Sequence, residues 1–365
     1  MDSIHQRYAD LLVHYCLELK RGERLYLRST TLAEDLVREV FRSATKAGAH
    51  VETELSVREQ DRIFLLEADD DQLRYFSPSY RAAMEEYDAY LFIRAPFNLR
   101  EGQDIKPERR KIRQEAAAPL TETYFRRTAD RSLKRNLCQF PTQAAAQEAG
   151  MSLEQYQDFV YSACRLYDDD PVASWQQVRA EQQHIVDHLN ACREVRYRSG
   201  AFDIRFSTKD RIWMNSDGQT NMPSGEVYTS PVEDSVQGVI HFDYPAIYEG
   251  EEVRGVTLWV KDGEVQKWAA EQGQGVLDRV FTIPGTRRFG EAAIGTNYRI
   301  QQFTKNILFD EKIGGTVHMA IGQSYLQTGG KNKSAVHWDM IADMTKDGEI
   351  FADGTKIYEK GRFLL

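Results

Sequence analysis

The hydrophobic pattern of this chain changes near residue 198, and that change constrains the fold more than any other feature. Before it, short apolar runs alternate with amphipathic helical stretches, a βαβ rhythm that is typical of parallel strands. After it, Asp-Gly pairs recur between alternating runs, as in GVTLWVKDGEVQKW, and tight hairpins favour Asp-Gly. We therefore predict an α/β N-terminal domain over residues 1–198, which shapes a cleft, and an α+β C-terminal domain rich in antiparallel sheet over residues 199–365.

Capping residues and apolar stripes mark the helices of the first domain. Thr31 and Glu34 have the spacing of a capping box, and the helix that follows them is predicted to end at Gly48. Its predicted inward face comprises Leu36, Val37, Val40, Phe41 and Ala44. A second capping box is predicted at Ser152 and Gln155. The turn RSTTLAED after the first strand lacks the GxGxxG pattern, so we do not expect a dinucleotide site.

Composition and charge indicate a globular protein. The chain has 365 residues, of which 41% are hydrophobic and 28% charged, and its net charge is -9. No run approaches the roughly 18 apolar residues of a membrane helix, and the N-terminus is too polar for a signal peptide, so we predict a cytoplasmic protein with no membrane partner. Because there is no basic stripe, we expect no nucleic-acid partner. Scattered cysteines without a CxxC pair predict reduced thiols.

The C-terminal region concentrates the side chains that metal ions and hydrolytic reactions use most. They occur in FDEKIGGTVHMAIGQSY (309–325) and SAVHWDM (334–340). In the second run, apolar residues alternate with His337 and Asp339, so a strand would project both polar side chains from one face. The run VHMAIG around His318 has the same extended, apolar character. Two adjacent strands of this kind would bring two imidazoles and a carboxylate into one coordination sphere.

Four carboxylates of the second domain complete this candidate site: Glu226, Glu291, Glu311 and Asp339. Four ionised carboxylates in one pocket repel one another and raise their own pKa values unless cations compensate. Two divalent cations would balance them, four charges against four. Oxygen and imidazole ligands without thiolate suit Zn²⁺, Co²⁺, Mn²⁺ or Mg²⁺, and the sequence does not choose among these. We therefore predict that residues 199–365 form the catalytic domain and bind two divalent metal ions.

Four sequence runs occur in an order that resembles the M29 family of metallo-aminopeptidases, the aminopeptidase T group. These runs are NMPSGEVYTSP (221–231), EAAIGTN (291–297), NILFDEKIGGTVHMAIGQSYLQTGG (306–330) and SAVHWDM (334–340). The resemblance implies an enzyme that hydrolyses the N-terminal peptide bond of short peptides through a water molecule activated at a two-metal site. It also implies a homodimer.

The same resemblance implies roles for individual residues. The implied metal-binding positions are Glu226, Glu291, Glu311, His318, His337 and Asp339. Glu311 matches a glutamate that is either a ligand or the base that handles the proton of the water, and both roles stay open. Tyr325 matches a tyrosine that donates to the developing oxyanion. The interval from Glu311 to His318 contains IGG and is longer than in other members, which is a departure from the family pattern.

Two other functions are compatible with the same residues. The metal ions could serve a hydrolase that acts on another small amide, such as a modified amino acid. Alternatively, metal ions or ion pairs could stabilise the second domain of a protein without catalytic activity. Blocked and unblocked aminoacyl substrates separate the two hydrolases, and the effect of His337→Ala on activity and folding separates an enzyme from a structural metal protein.

Overall fold

The computed structural model describes residues 3–365, which divide into two units. The first unit ends at Ser174 and includes Gly218–Pro223, and the second comprises Trp175–Asp217 and Ser224–Leu365. The boundary along the chain thus falls at Ser174, earlier than the change of sequence pattern at residue 198. The reason is that the helix over Pro171–Asn190 lies mostly after Ser174 and contributes Val186 and Leu189 to the hydrophobic core of the second unit.

A parallel sheet forms the centre of the first unit. Its strands are β1 (Arg24–Thr30), β2 (His50–Ser56), β3 (Ala89–Arg94), β4 (Lys134–Gln139) and β8 (Asn221–Met222). Their order is β2-β1-β3-β4-β8, and every neighbouring pair is parallel, as the βαβ rhythm predicts. Strand β8 comes from the stretch predicted to lie in the second domain, yet it pairs with Leu137 and Cys138 of β4.

Helices accompany these strands, and the residues at which they begin can be compared with the two predicted capping boxes. They are α1 (Ile4–Asp10), α2 (Glu34–Lys46), α3 (Gln60–Glu67), α4 (Asp70–Arg74), α5 (Pro78–Glu85), α6 (Pro107–Ala129), α7 (Gln143–Glu148) and α8 (Leu153–Ala163), with a π-helix over Leu11–Cys16 and a 3₁₀ turn over Thr31–Ala33. The capping box at Ser152 and Gln155 is confirmed at the start of α8. The capping box at Thr31 and Glu34 is wrong, because the Thr30 side chain instead caps the preceding 3₁₀ turn.

The buried face of α2 differs from the prediction at one position. Its buried residues are Leu36, Val37, Val40, Ser43 and Ala44. Phe41, predicted to face inward, is 45% exposed, because at 100° per residue it lies beyond the edge of the arc that these residues define. Ser43 occupies the other edge, and its hydroxyl donates to Oδ1 of Asp10 at 2.6 Å. The helix is followed by Gly48 at a φ of +86°, as predicted.

Antiparallel strands dominate the second unit, as the sequence predicts. They are β5 (Glu194–Arg198), β6 (Asp203–Ser207), β7 (Met214–Ser216), β9 (Glu226–Thr229), β10 (Gln237–Phe242), β11 (Ala246–Tyr248), β12 (Glu251–Val253), β13 (Val256–Lys261), β14 (Glu264–Ala269), β15 (Phe289–Gly295), β16 (Thr316–Gly322), β17 (His337–Asp343), β18 (Glu349–Ala352), β19 (Thr355–Glu359) and β20 (Arg362–Phe363). One sheet has the order β14-β13-β10-β6-β5-β18-β19-β20 and another the order β17-β16-β15-β9-β7, while β11 and β12 form a separate pair.

Asp-Gly turns close two hairpins of the larger sheet. Asp262 and Gly263 join β13 to β14 with φ angles of 52° and 74°, and Asp353 and Gly354 join β18 to β19 with φ angles of 47° and 82°. Two successive positive φ angles are what a tight hairpin turn requires, so these two hairpin predictions are confirmed. The helices of this unit are α9 (Pro171–Asn190), which begins in the first unit, α10 (Gln274–Val280) and α11 (Ile307–Asp310), with a 3₁₀ turn over Leu326–Thr328.

One hydrophobic core is shared by the two large sheets of the second unit. The larger sheet contributes residues such as Ile204 and Leu258, and the five-stranded sheet contributes Val317, Met319 and Met340. Because side chains alternate along a strand, the residues between these project from the opposite face of the five-stranded sheet. That outer face is where the candidate site lies.

The structure also bears on what the composition indicated about the cysteines and about membrane-spanning helices. Within the described part of the chain none of the four cysteines forms a disulfide, and three of them are buried, which agrees with the predicted reduced thiols. Within residues 3–365, none of the helices combines the length and the apolar character that a membrane span needs.

Candidate metal centre

Strand register brings the predicted ligands together on the outer face of the five-stranded sheet. Asp339 of β17 lies opposite Ala320 of β16, and Glu291 of β15 lies opposite the same alanine. His318 is two residues before Ala320 and therefore projects from the same face. Because Ala320 carries only a methyl group, the carboxylates on either side of it have room to approach one another.

A β-bulge at Gly290 turns Glu291 towards this face. Phe289 packs in the core, so in a regular strand Glu291, two residues later, would face the core as well. The pairing with β16 shifts by one residue between Phe289 and Glu291, and this shift places the glutamate on the opposite side. A Cβ atom at Gly290 would lie 2.2 Å from the carbonyl oxygen of Gln323, so the bulge requires glycine.

Glu226 enters the site at the start of β9, next to β15. Gly225 before it has a φ of +120°, and a Cβ atom there would lie 2.7 Å from Cβ of Asn297, so glycine permits this close approach. The side-chain amide of Gln182 in α9 donates to the carbonyl oxygen of Glu226 at 3.4 Å and to Oδ1 of Asn215 at 2.6 Å. These contacts fix the backbone from which Glu226 projects.

Glu311 approaches the same cluster from outside the sheet, directly after α11. The preceding residue, Asp310, holds this turn, because its Oδ1 accepts hydrogen bonds from the backbone N–H and the hydroxyl of Thr304, both at 2.8 Å. Candidate ligand atoms of Glu311, His318 and Asp339 lie within 4.8 Å of one another. The long interval between Glu311 and His318 therefore does not keep Glu311 away from the other predicted residues.

Hydrogen bonds fix the orientation of the His337 ring. Nδ1 lies 2.8 Å from the carbonyl oxygen of Gln323, and a carbonyl oxygen can only accept, so Nδ1 carries a proton. Nε2 lies 3.0 Å from Oε2 of Glu291 and 3.5 Å from Oδ1 of Asp339. In the neutral ring Nε2 is therefore the atom that can bind a metal ion, and the second nitrogen is held by a backbone carbonyl, as metal-binding histidines usually are.

Several polar atoms in the cluster are buried without a hydrogen-bond partner among the described residues. They are Oε2 of Glu226, Nδ1 and Nε2 of His318, and Oδ1 of Asp339. Nε2 of His318 lies 3.5 Å from Oε2 of Glu226 and 3.8 Å from Oε1 of Glu291. Buried polar atoms are nearly always satisfied in proteins. Oxygen and imidazole nitrogen atoms that lack hydrogen-bond partners and converge in this way fit a bound divalent cation.

Three overlapping sets of side chains are arranged so that each could hold a cation, with the ligand atoms of each set within 4.8 Å of one another. The sets are Glu226–Glu291–His318, Glu291–His337–Asp339 and Glu311–His318–Asp339. Each pair of sets shares one residue, so the six predicted metal-binding residues form one continuous cluster.

Negative charge in the cluster raises the pKa of both imidazoles when no cation is bound. Burial lowers the pKa of His318, but the nearby negative charges of Glu291 and Glu226 outweigh burial and raise it to about 9. Burial likewise lowers the pKa of His337, but Asp339 and then Glu291 raise it to about 12. Both rings therefore hold protons near neutral pH in the absence of metal, and protons and metal ions compete for them.

The pKa values of two carboxyl groups in the metal-free cluster, Glu311 and Asp339, shift in opposite directions. Burial raises the pKa of Glu311 to about 8, with the charges of Glu226 and Asp339 adding to the effect and Lys312 opposing it. Burial also raises the pKa of Asp339, but the charge of His337 outweighs it and brings the value to about 2. Glu311 is thus the carboxyl group that can take up and release a proton near neutral pH, whereas Asp339 stays ionised.

Lys312 lies inside the cluster, and sequence reasoning missed it. The residue is fully buried, its Nζ lies 3.4 Å from Oε1 of Glu226, and it forms a second ion pair with Glu311. Burial lowers the pKa of this ammonium group, but the two glutamates raise it above its ordinary value. The available signal was its place directly after Glu311 in DEKIGG, but a single lysine beside an acidic residue is usually solvated.

Tyr325 packs beside the cluster, at the residue before the 3₁₀ turn. The centroid of its ring lies 4.9 Å from that of His337 and 5.5 Å from that of Tyr228. Burial and the negative charges of Glu291 and Asp339 raise the pKa of Tyr325 well above its ordinary value. Its hydroxyl therefore stays protonated over the working range of pH and remains a hydrogen-bond donor. Tyr228, which supports the ring, carried no signal in the sequence.

The fold and the cluster together define a class of protein, one in which an α/β unit accompanies an antiparallel unit with a candidate centre for divalent metal ions. The profile of the family described as thermophilic metalloprotease (M29) matches residues 1–363. The chain belongs to this M29 family, and the predicted membership is confirmed.

Similar proteins with curated names agree with this membership. Aminopeptidase 2 from Geobacillus stearothermophilus is 28% identical over 97% of this chain and 97% of its own length. Aminopeptidase AmpS from Bacillus subtilis (strain 168) is 26% identical over 100% of both chains. The structure of wild-type AmpT from Thermus thermophilus covers 99% of both chains with a TM-score of 0.84 and 23% identity, which shows a shared fold. Family and named relatives together support a metallo-aminopeptidase hydrolase.

Proposed function

We propose that this chain is an aminopeptidase that hydrolyses the N-terminal peptide bond of short peptides at a site for two divalent metal ions. The observation that carries the proposal is the cluster of six side chains in three overlapping ligand sets on one face of a sheet. Membership of a metalloprotease family supports the reaction class. The relatives named aminopeptidase support cleavage at the N-terminus.

Five side chains are proposed to hold the metal ions, and a sixth is proposed either to join them or to carry a proton. The five are Glu226, Glu291, His318, His337 and Asp339. When bound, divalent ions would promote hydrolysis by activating a water molecule as the nucleophile and by polarising the scissile carbonyl group. Zn²⁺, Co²⁺, Mn²⁺ and Mg²⁺ all suit this mixture of oxygen and imidazole donors.

Glu311 and Tyr325 are proposed to act directly on the reacting atoms. If Glu311 is not a ligand, its carboxylate is proposed to accept a proton from the nucleophile and pass it to the leaving amine, and its ion pair with Lys312 holds the carboxylate in place. The protonated hydroxyl of Tyr325 is proposed to donate to the oxyanion of the tetrahedral intermediate, an interaction that typically lowers the barrier by about 3–4 kcal/mol.

A substrate panel with metal control tests this proposal. The purified protein would be assayed on aminoacyl-4-nitroanilides and dipeptides before chelation, after chelation, and after addition of each of the four metal ions. We expect hydrolysis that is lost on chelation, restored by metal, and absent with the N-acetylated form of each substrate. Hydrolysis of N-acetylated substrates would instead indicate a hydrolase for another small amide.

The same assay on His337→Ala separates an enzyme from a protein that uses metal for stability alone. If the proposed function is correct, activity is lost while the variant still folds and melts cooperatively, because the ring is half-buried at the surface of the sheet. A protein that aggregates or melts, and that never hydrolysed a peptide, would support the structural role.

Two further properties are proposed with this function. We propose a homodimer, which multi-angle light scattering on the metal-loaded protein would detect as twice the mass of one chain. We propose a cytoplasmic location, which fractionation of cells that express the protein would test. A monomeric mass or recovery outside the cytoplasm would contradict the respective proposal without affecting the peptidase assay.

A further inference from the structure

A lysine inside a candidate metal cluster supplies the charge of a cation. Lys312 is fully buried, its Nζ lies 3.4 Å from Oε1 of Glu226, and it forms a second ion pair with Oε1 of Glu311. Both partners belong to the proposed ligand cluster, so the ammonium group and a metal ion compete for the same carboxylates. Of the three ligand sets among the described residues, the set Glu291–His337–Asp339 contains neither partner of Lys312.

Counting charges shows which binding step the lysine affects. Once metal ions have displaced the protons of both imidazoles and of Glu311, the carboxylates of Glu226, Glu291, Glu311 and Asp339 carry four negative charges, and Lys312 brings the sum from -4 to -3. A first divalent ion then leaves -1, and a second leaves +1. Without the lysine the second ion would change -2 to zero. The lysine therefore weakens the attraction for the second ion most at the position where its own ammonium group lies.

We propose that Lys312 is a resident cation that makes the two metal positions unequal. The position bounded by Glu291, His337 and Asp339 binds its ion tightly, and the position beside Glu226 and Glu311 binds its ion weakly. This inference rests on the proposed two-metal function and adds the order of binding. A unit positive charge a few Å from a divalent ion, in a buried site of low dielectric, reduces affinity by well over an order of magnitude.

Metal titration tests the inference directly. Chelator-treated protein would be titrated with Zn²⁺ by calorimetry, and the ions that survive gel filtration would be counted by elemental analysis. We expect one ion retained per chain and a second class at least about tenfold weaker. Lys312→Met keeps most of the length of the side chain and removes its charge, so it should bring the two affinities close together and retain both ions.

A surface lysine provides the matched control. Nζ of Lys356 lies 3.1 Å from Oε1 of Glu349 and 2.6 Å from Oε1 of Glu359, so it also sits between two glutamates, but on β19 away from the cluster. Lys356→Met should leave both classes of metal binding unchanged.

Two ligand variants show which residues form the tight class of metal binding and which form the weak class. His337→Ala should abolish the tight class, because His337 belongs only to the set Glu291–His337–Asp339, whereas Glu226→Gln should weaken only the second class. Equal affinities in the unmodified protein, or an unchanged ratio in Lys312→Met, would overturn the inference; if that variant does not fold, the unmodified protein and the two ligand variants still decide. Every readout is metal binding, so a failure to hydrolyse peptides would count against the proposed function and leave this inference standing.

Discussion

Nε2 of His337 lies 3.0 Å from Oε2 of Glu291, although the two residues are 46 positions apart in the chain. The contact spans β16, which separates the strands that carry the two side chains. It connects two of the three ligand sets, since Glu291 also belongs to the set with Glu226 and His318. A change at Glu291 should therefore affect the whole cluster.

We expect Glu291→Gln to reduce both metal affinity and hydrolysis while the fold persists. The amide keeps the shape of the side chain but removes the negative charge. Loss of a group that only orients a ligand already costs about 10- to 100-fold in metal affinity, so a direct ligand should cost at least about 100-fold. Calorimetric titration and the nitroanilide assay measure the two effects. Glu359→Gln on β19 is the control, and equal behaviour of the two variants would contradict the role of Glu291.

The stability of the metal-free protein should fall as pH rises from about 4.5 to about 9. Over this range the folded chain binds more protons than the unfolded chain, because Glu311 has a pKa of about 8 instead of 4.5 and His318 of about 9 instead of 6.5. By linkage, excess protons in the folded state make stability decrease with pH. Bound metal ions replace these protons, so metal-loaded protein should gain stability relative to metal-free protein as pH rises.

Scanning calorimetry at several pH values, with and without metal, checks this expectation. A metal-free melting temperature that rises between about pH 5 and about pH 9 would contradict the proton occupancy described for Glu311 and His318.

Gly290→Ala should destabilise the protein and displace Glu291. A Cβ atom at this position meets the carbonyl oxygen of Gln323 at 2.2 Å, and such overpacking typically costs about 1–3 kcal/mol of unfolding free energy. Urea denaturation measures that loss, and metal titration measures the displacement. Gly275→Ala in α10 is the matched control, because nothing lies within 4 Å of the point that its new methyl group would occupy and alanine should add about 0.5–1 kcal/mol. Similar results for both variants would rule out the bulge as the cause.

Tyr325→Phe should lower kcat without changing metal content. The ring that packs on His337 is kept, and only the proposed donor to the oxyanion is lost, which typically reduces kcat by about 10²- to 10³-fold. Steady-state kinetics on a dipeptide and elemental analysis give both quantities. Tyr248→Phe, whose ring packs on Trp338, removes a hydroxyl elsewhere and should have full activity. A Tyr325→Phe enzyme with normal kcat would remove Tyr325 from the mechanism.

Local patterns in the sequence predicted the strands of the site, but they did not predict how Glu311 and Glu291 reach it. The alternation around His337 and Asp339 follows from the two-residue period of a strand, which depends only on neighbouring residues. The approach of Glu311 depends on the path of the chain between α11 and β16, and no periodic signal encodes such a path. The orientation of Glu291 depends on a bulge at Gly290, which breaks the period that prediction uses.

Charge counting identified the carboxylates but overlooked a cation among them. From the sequence, four carboxylates were balanced with metal ions alone, because the sequence does not show whether a lysine side chain is solvated or buried. Lys312 is buried between two of those carboxylates. Phe41 shows the same limit on a helix, where a large apolar residue at the edge of a stripe lies in solvent and Ser43 lies inside.

Adjacent positions of β16 serve different purposes, with Val317 and Met319 in the hydrophobic core and His318 in the cluster. An insertion or deletion of one residue in this strand would exchange the two faces, so that the imidazole would enter the hydrocarbon interior and the valine would replace it. Stability and chemistry would then fail together. The length of this strand is therefore a shared requirement of folding and of metal binding, and a substitution at one position leaves that length unchanged.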